Sequence, residues 1–408
     1  MNFLKKIFSP SILIISLLLF IYTFYRSEII WDGIERDYFF TYYLISIVLI
    51  IFSIISFFFN TKVKEYLIIS GFSIVVGLFL VEGYLTYQAK IPFKKLYEIQ
   101  TEKKWDTRTK FEIYNDMKKT NDETQITVSP ENYLKIKNVK IFPLSGISNS
   151  ETIYCNENGY YSIYQSDRYG FNNPDTEWDE KEIEYLLVGD SFTHGACVNR
   201  PNDIASVLRT ISNKSVLNLG YGANGALAEY ATLREYLNSN VKKILWVHHE
   251  RNSFTYLSDE ISNKILKKYL NDLTYTQNLN SRQNDIDNMA IDAINKERAK
   301  GEVKKTNIAK IKGFIKVSNL RSLIFPPPTG LKPPAEFKQI LQLTKDLAIQ
   351  NNSKLYFIYL PEISRYKKKY DNTNYNEVQK LVKKLNIPFI DIHKEVLQRE
   401  KRPTKLYP

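Results

Sequence analysis

Cysteine and histidine are scarce in this chain: 408 residues carry two of the first, Cys155 and Cys197, and four of the second. So few cysteines exclude a disulfide-dense scaffold. With no metal-ligand spacing among the ligating residues, the sequence gives no sign of a metal or other cofactor. Also missing are an internal repeat, a long low-complexity tract and a basic stripe interleaved with aromatics. The formal net charge is +12, yet the lysines are scattered among acids, as in residues 181–186, 259–264 and 295–300. Nucleic acid is therefore not an expected partner, and a solvated surface near anionic lipid headgroups accounts for the charge.

What the chain has in quantity is apolar sequence at its front. Residues 7–25, 38–61 and 66–81 hold no charged side chain, and runs of this length cross a bilayer core as helices. A signal peptide would explain only the first run, and no small-residue cleavage site ends it. Lys5 and Lys6 precede the first run and Lys62 and Lys64 separate the second from the third, whereas the first loop holds Glu28, Asp32, Glu35 and Asp37. This bias puts the amino terminus in the cytoplasm of a bacterial-type inner membrane and everything after about residue 90 outside, although Lys90, Lys94 and Lys95 run against it. Outside the cytoplasm Cys155 and Cys197 can pair.

Residues 91–180 read as a polar and aromatic linker with one β-hairpin, whose turn contains Asn158-Gly159. From residue 181 the pattern changes. Short apolar runs at 185–188, 216–219, 244–247, 355–360 and 388–392 alternate with helical stretches at 204–211, 226–237, 337–349 and 375–385. Strands alternating with helices predict right-handed crossovers and a doubly wound parallel α/β sheet of about five strands. A charged, helix-prone insertion at 257–312 and the loop 326–330 interrupt it.

The first strand stops at Gly189-Asp190-Ser191, so a serine falls at the carboxyl end of a buried strand and at the start of the next helix. An open α/β sheet binds its ligand there, and the helix amides can stabilise an oxyanion. A plain N-cap is the simpler alternative for Asp190 and Ser191. Asn218 to Gly225 follows the second strand as a glycine-rich turn, and His248-His249-Glu250-Arg251-Asn252 follows the third. A serine, a backbone amide and a carboxamide meeting at one edge would form an oxyanion hole for acyl transfer. Asn218 and Asn224 can instead simply serve the turn, and Glu250 and Arg251 are expected to pair with each other or with solvent.

On these residues the segment 182–393 resembles the SGNH, or GDSL-like, hydrolases, whose sheet has the flavodoxin-like strand order; Gly189-Asp190-Ser191-Phe192 is the most specific match. The resemblance implies a serine esterase or acyltransferase, with Ser191 as nucleophile and first oxyanion donor. Ala223 stands where the family usually has a donor glycine, and Asn252 is the one residue of the third block that carries over. A membrane-borne member of that family would act on a small-molecule or carbohydrate ester, such as an O-acetylated envelope carbohydrate. The family's Asp-x-x-His is replaced by Asp391-Ile392-His393, one residue short, and the chain runs out at Pro408 with no closing helix, which reads as an interruption. Three readings stay open: His393 acts with Asp391, since side chains two apart on a strand share a face; His194, His248 or His249 substitutes; or the chain lacks its base, as a fragment or as a catalytically silent binding or assembly module.

Overall fold

A computed structural model describes residues 2–30, 33, 36–90, 92–134, 136, 139–250, 252–300, 311–325, 333–366 and 370–407. The loop 326–330 and Arg251 lie outside the described residues, as does the side chain of Asn252. The chain divides into two compact units: residues 1–93 with 304–328, and residues 94–303 with 329–408.

The first unit contains three helices long and apolar enough to cross a membrane, α1 (Asn2–Phe24), α2 (Arg36–Ser56) and α3 (Thr61–Lys90). Ser9, Ser16 and Thr23 on α1 and Ser46 and Ser53 on α2 recur at seven-residue intervals and are buried, although most leucines and isoleucines around them are exposed. That inversion suits a bilayer, where small side chains let helix backbones approach and large apolar ones face lipid. Four of these hydroxyls, all but that of Ser9, bond back to their own helix and so cost little there: Ser16 Oγ donates to the Ile12 carbonyl and Ser46 Oγ to that of Tyr42, each at 2.7 Å. Lys5 Nζ meets Glu65 Oε2 at 2.6 Å, joining α1 to α3.

Among its described residues the second unit holds two sheets. In the smaller, β1 (Thr124–Ile126) runs parallel to β2 (Glu151–Ile153), which pairs antiparallel with β3 (Ile163–Gln165). The hairpin loop contains Gly159 at φ +81°, the positive angle that only glycine takes without penalty. Of residues 91–180, expected from sequence to be a linker, those from 94 onward supply Tyr133, Phe142, Leu144 and Phe171 to the same core as the main sheet. Their apolar residues lack a helix or strand period because most sit in irregular chain or very short elements, which is why the sequence pattern concealed them.

The main sheet is β4 (Ile183–Gly189), β5 (Val216–Asn218), β6 (Val241–His249), β7 (Lys354–Leu360) and β8 (Phe389–Asp391), all parallel, in the order β5-β4-β6-β7-β8. This is the flavodoxin-like doubly wound order, with its switch point between β4 and β6. Leu186, Val188, Ile244, Trp246 and Phe357 on one face pack in one core with α6 (Ala226–Tyr236) and α8 (Ala335–Gln350). On the other face Leu187, Val216 and Leu245 pack on Ala205 and Leu208 of α5 (Ile204–Ser212). Strands buried on both faces explain the unbroken apolar runs.

Candidate active site

β4 ends where a side chain would not fit. A Cβ built on Gly189 would lie 2.2 Å from Thr193 Oγ1 and 2.5 Å from the Val247 carbonyl, so glycine is required by close approach. Asp190 then caps α4 (Ser191–His194), its carboxylate accepting from Phe192 N at 3.0 Å. Ser191 is half-buried, the first residue of that helix. The capping role therefore falls to Asp190, which leaves the Ser191 hydroxyl for other work.

The glycine-rich turn lies beside it. Tyr221 N donates to the Gly189 carbonyl at 3.1 Å, and Asn218 Nδ2 donates to the Thr193 carbonyl at 2.7 Å while its Oδ1 accepts from Gly220 N at 2.9 Å. Asn218 thus serves the turn. Asn224 is fully buried, and neither atom of its amide has a partner among the described residues. Ala223 sits at φ +65°, in the left-handed region that glycine would occupy without strain. The turn feeds α6, and α7 (Asn252–Ser262) begins at Asn252 after β6.

Glu260, on α7, binds the two regions together. Its Oε1 accepts from Gly225 N at 2.6 Å, and its Oε2 accepts from Leu227 N at 3.1 Å and Ala228 N at 3.3 Å. Burial pushes the carboxyl up to about 7, against the opposing pull of these three amides. Glu229, fully buried on α6, accepts from Trp246 Nε1 at 2.5 Å; burial first, and the charge of Asp190 second, hold its carboxyl well above the carboxylate range. Tyr154 reaches in from the hairpin, its ring 4.6 Å from that of His194 and its hydroxyl so near Gly222 that a Cβ there would lie 1.9 Å away. The disulfide Cys155–Cys197 fastens the residue next to Tyr154 to the loop following α4. Sequence reading missed Tyr154, Glu229 and Glu260; only Glu229 left a signal, as an acid inside the apolar stretch 226–231.

The four histidines are placed very differently. His194 is fully buried between Tyr154, Tyr164 and Tyr221, its Nδ1 accepting from Gly222 N at 3.1 Å, and burial lowers it to about 3. His248 lies in a cage of Phe254, Phe337, Phe357 and Tyr359, also lowered by burial to about 3. Both stay neutral and enclosed. His249 stacks on Phe192, the residue after Ser191, with ring centroids 4.3 Å apart, and it is the last residue of β6, two beyond the Val247 that pairs with Gly189.

His393 follows β8, three strands from β4 and thus about 14 Å away across the sheet. It exchanges a hydrogen bond between Nδ1 and the Tyr366 hydroxyl at 3.0 Å, and burial, then the charge of Arg365, lowers its pKa. Asp391 accepts from the Tyr375 hydroxyl at 2.5 Å and from Lys394 N at 3.2 Å. These bonds engage Asp391 with other donors than His393. Glu250, expected to pair with Arg251 or solvent, instead makes a buried two-point ion pair with Arg365 and accepts from Glu362 N at 3.0 Å. Burial pushes its carboxyl up, but the Arg365 guanidinium together with the Tyr359 hydroxyl and the Glu362 amide outweighs burial and holds it below the usual range. The partner was invisible in sequence because it lies 115 residues away.

No family model and no curated protein matches the chain. Among solved structures, it is similar to a putative lipolytic protein of the G-D-S-L family from Desulfitobacterium hafniense DCB-2, at 15% identity and a TM-score of 0.27, over 53% of this chain and 80% of that one. It is also similar to a point variant of the esterase AlinE4, at 12% identity and a TM-score of 0.28, over 54% of this chain and 82% of that one.

Proposed function

We propose that this protein is a membrane-anchored serine ester hydrolase or acyltransferase of SGNH type, with Ser191 as nucleophile. The observation that carries the reading is a half-buried serine opening a helix at the carboxyl end of β4, at the sheet's switch point, with the capping duty taken by Asp190. In the reaction, Ser191 Oγ attacks the ester carbonyl carbon and its proton passes to a base. The resulting oxyanion is held by the amides of Ser191 and Ala223 and by the Asn252 carboxamide. Collapse expels the alcohol, which takes up the proton, and water or an acceptor hydroxyl then releases the acyl group.

The base is His249 or His393. His194 and His248 titrate too low to take a proton near neutrality. His249 ends β6, the strand paired with β4, and stacks on Phe192, the residue after the nucleophile; His393 is one residue short of the family's spacing from Asp391, which is engaged elsewhere. The disulfide supports an outward-facing second unit, because such bonds persist in oxidising compartments. An ester-bearing envelope carbohydrate fits that location.

The engagement of Asp391 by Tyr375 favours a second reading, a silent binding module that kept the crevice and lost an oriented base. A fluorophosphonate probe separates the two. Labelling of the full-length protein that disappears in Ser191→Ala and in either His249→Ala or His393→Ala supports the enzyme and names its base. No labelling of the parent protein overturns it.

A further inference from the structure

Glu82 is a carboxylate inside the third apolar helix, eight residues before its end at Lys90 and so about 12 Å along the axis. It is fully buried, in a helix whose other residues mostly face outward. A carboxylate in a bilayer is expensive unless its oxygens are occupied. Its partners come from far along the chain, past the insertion. Oε1 accepts from Asn319 N at 3.1 Å and Asn319 Nδ2 at 2.9 Å, and Oε2 accepts from Leu320 N at 2.9 Å. Asn319 Nδ2 also donates to Thr86 Oγ1 at 3.0 Å.

Asn319 and Leu320 open the short helix Ser318–Ile324, whose first amides have no partner within the helix. Each side therefore supplies what the other lacks: a buried carboxylate needs donors, and free helix amides need an acceptor. Apolar contacts extend the match, with Phe314 against Phe79 at 5.6 Å and Phe325 against Tyr42 of α2 at 5.3 Å between ring centroids. Away from the helices the same segment exposes Ile311, Ile315, Leu323 and Ile324, each 58% or more. Lys312, Lys316 and Arg321 are exposed among them. Apolar side chains turned outward beside the apolar outer surface of α2 and α3, with cations interleaved, match the boundary between lipid tails and headgroups.

We propose that residues 311–325 are a fourth membrane element, seated on α3 through Glu82, with their exposed apolar side chains in the acyl chains of the bilayer. The segment leaves the sheet unit after Val303 and rejoins it at Thr329, so the sheet unit is tied to the membrane unit by three stretches of chain instead of one. This proposal rests on the membrane reading of the three helices and is independent of any activity at Ser191.

Electron paramagnetic resonance on the full-length protein in phosphatidylcholine–phosphatidylglycerol vesicles tests it. The two native cysteines are bonded to each other, so one introduced cysteine takes a nitroxide label alone. Labels at Ile315→Cys and Leu323→Cys are expected to collide with oxygen and be shielded from a water-soluble nickel chelate, as at Ile74→Cys on α3. Nickel access at 315 and 323 equal to that at Lys338→Cys, an exposed position of the sheet unit, would overturn the proposal. Glu82→Ala is expected to abolish the shielding at 315 and 323 and leave 74 unchanged, and Glu82→Gln, which keeps an acceptor, to restore it. Shielding that survives Glu82→Ala would refute the role of the carboxylate, and if that variant does not fold, the Glu82→Gln and parent proteins still decide the lipid contact.

Discussion

Glu260 and Gly225 are joined by a 2.6 Å hydrogen bond, carboxylate to amide, and through it the helix beginning at Asn252 is fixed to the turn containing Ala223. Two of the proposed oxyanion donors, the Ala223 amide and the Asn252 carboxamide, thereby depend on a side chain that hydrogen-bonds to neither. Glu260→Ala leaves three buried amides without an acceptor, a loss of about 3 kcal/mol. Labelling of Ser191 is expected to slow at least tenfold, since the donors lose their fixed spacing. The sign of the pH effect follows from the upward shift. Between 4.5, its ordinary value, and about 7, the folded protein holds a proton that the unfolded chain has released. The contribution of Glu260 to stability is therefore greatest below 4.5 and falls by about 3 kcal/mol as pH rises to 7. Comparing thermal midpoints of parent and Glu260→Gln across that window checks this, because the glutamine variant lacks the slope.

Ala223 at φ +65° offers a second, local test. A left-handed alanine costs roughly 1–2 kcal/mol, and glycine recovers most of it while adding flexibility to the unfolded chain. Ala223→Gly is thus expected to stabilise by about 0.5 kcal/mol and to leave Ser191 labelling intact. Ala223→Val, branched at Cβ, is expected to destabilise by about 2 kcal/mol and to reduce labelling by distorting the amide's direction. A chemical-denaturation midpoint for each variant, set beside its labelling rate, decides the matter.

What sequence could show divides by range. The five strands of the main sheet were visible as apolar runs, and all five occur within about three residues of the expected ends, because burial on both faces writes itself into consecutive residues. Ser191 was legible from Gly189-Asp190, a local turn. Glu260 was not, since its amides lie 35 to 32 residues away, and neither was Tyr154, 68 positions before Gly222. The return of residues 304–328 to the membrane unit was hidden for a related reason: lysines interleave with its apolar residues, so no long uncharged run marks it. Contacts between distant segments leave no period to read.

His248 makes the acid side of the stability curve testable. Buried among aromatic rings, it stays neutral down to about 3, whereas an unfolded chain protonates it below 6.5. The unfolded state thus binds more protons across that interval, and stability present at neutral pH is lost as pH falls, by up to about 1.4 kcal/mol per unit. Neither ring nitrogen has a partner among the described residues. His248→Leu removes the titration without removing a hydrogen bond, and at pH 5 it is expected to exceed the parent by about 2 kcal/mol. His194→Leu is the contrasting case. It strands Gly222 N, and thermal melts at pH 7.5 should show a loss of about 1–2 kcal/mol.

Tyr154 is the residue whose replacement tests the crevice most directly. Its ring rests on His194, and its hydroxyl lies over Gly222, next to the amide proposed as an oxyanion donor. Burial, with Tyr164 and Asp190 nearby, raises the phenol well above its ordinary value, so it remains a neutral donor throughout the working range. Tyr154→Phe keeps the ring packing and deletes only the hydroxyl. A hydroxyl that donates to the bound ester in the transition state is worth about 1.5–3 kcal/mol, or roughly ten- to a hundredfold in rate. The expected outcome is such a fall in the Ser191 labelling rate with an unchanged thermal midpoint. Gly222→Ala, which drives a methyl group into the same hydroxyl, should lower both. Equal labelling rates for Tyr154→Phe and the parent would show that the phenol packs against the turn without touching substrate.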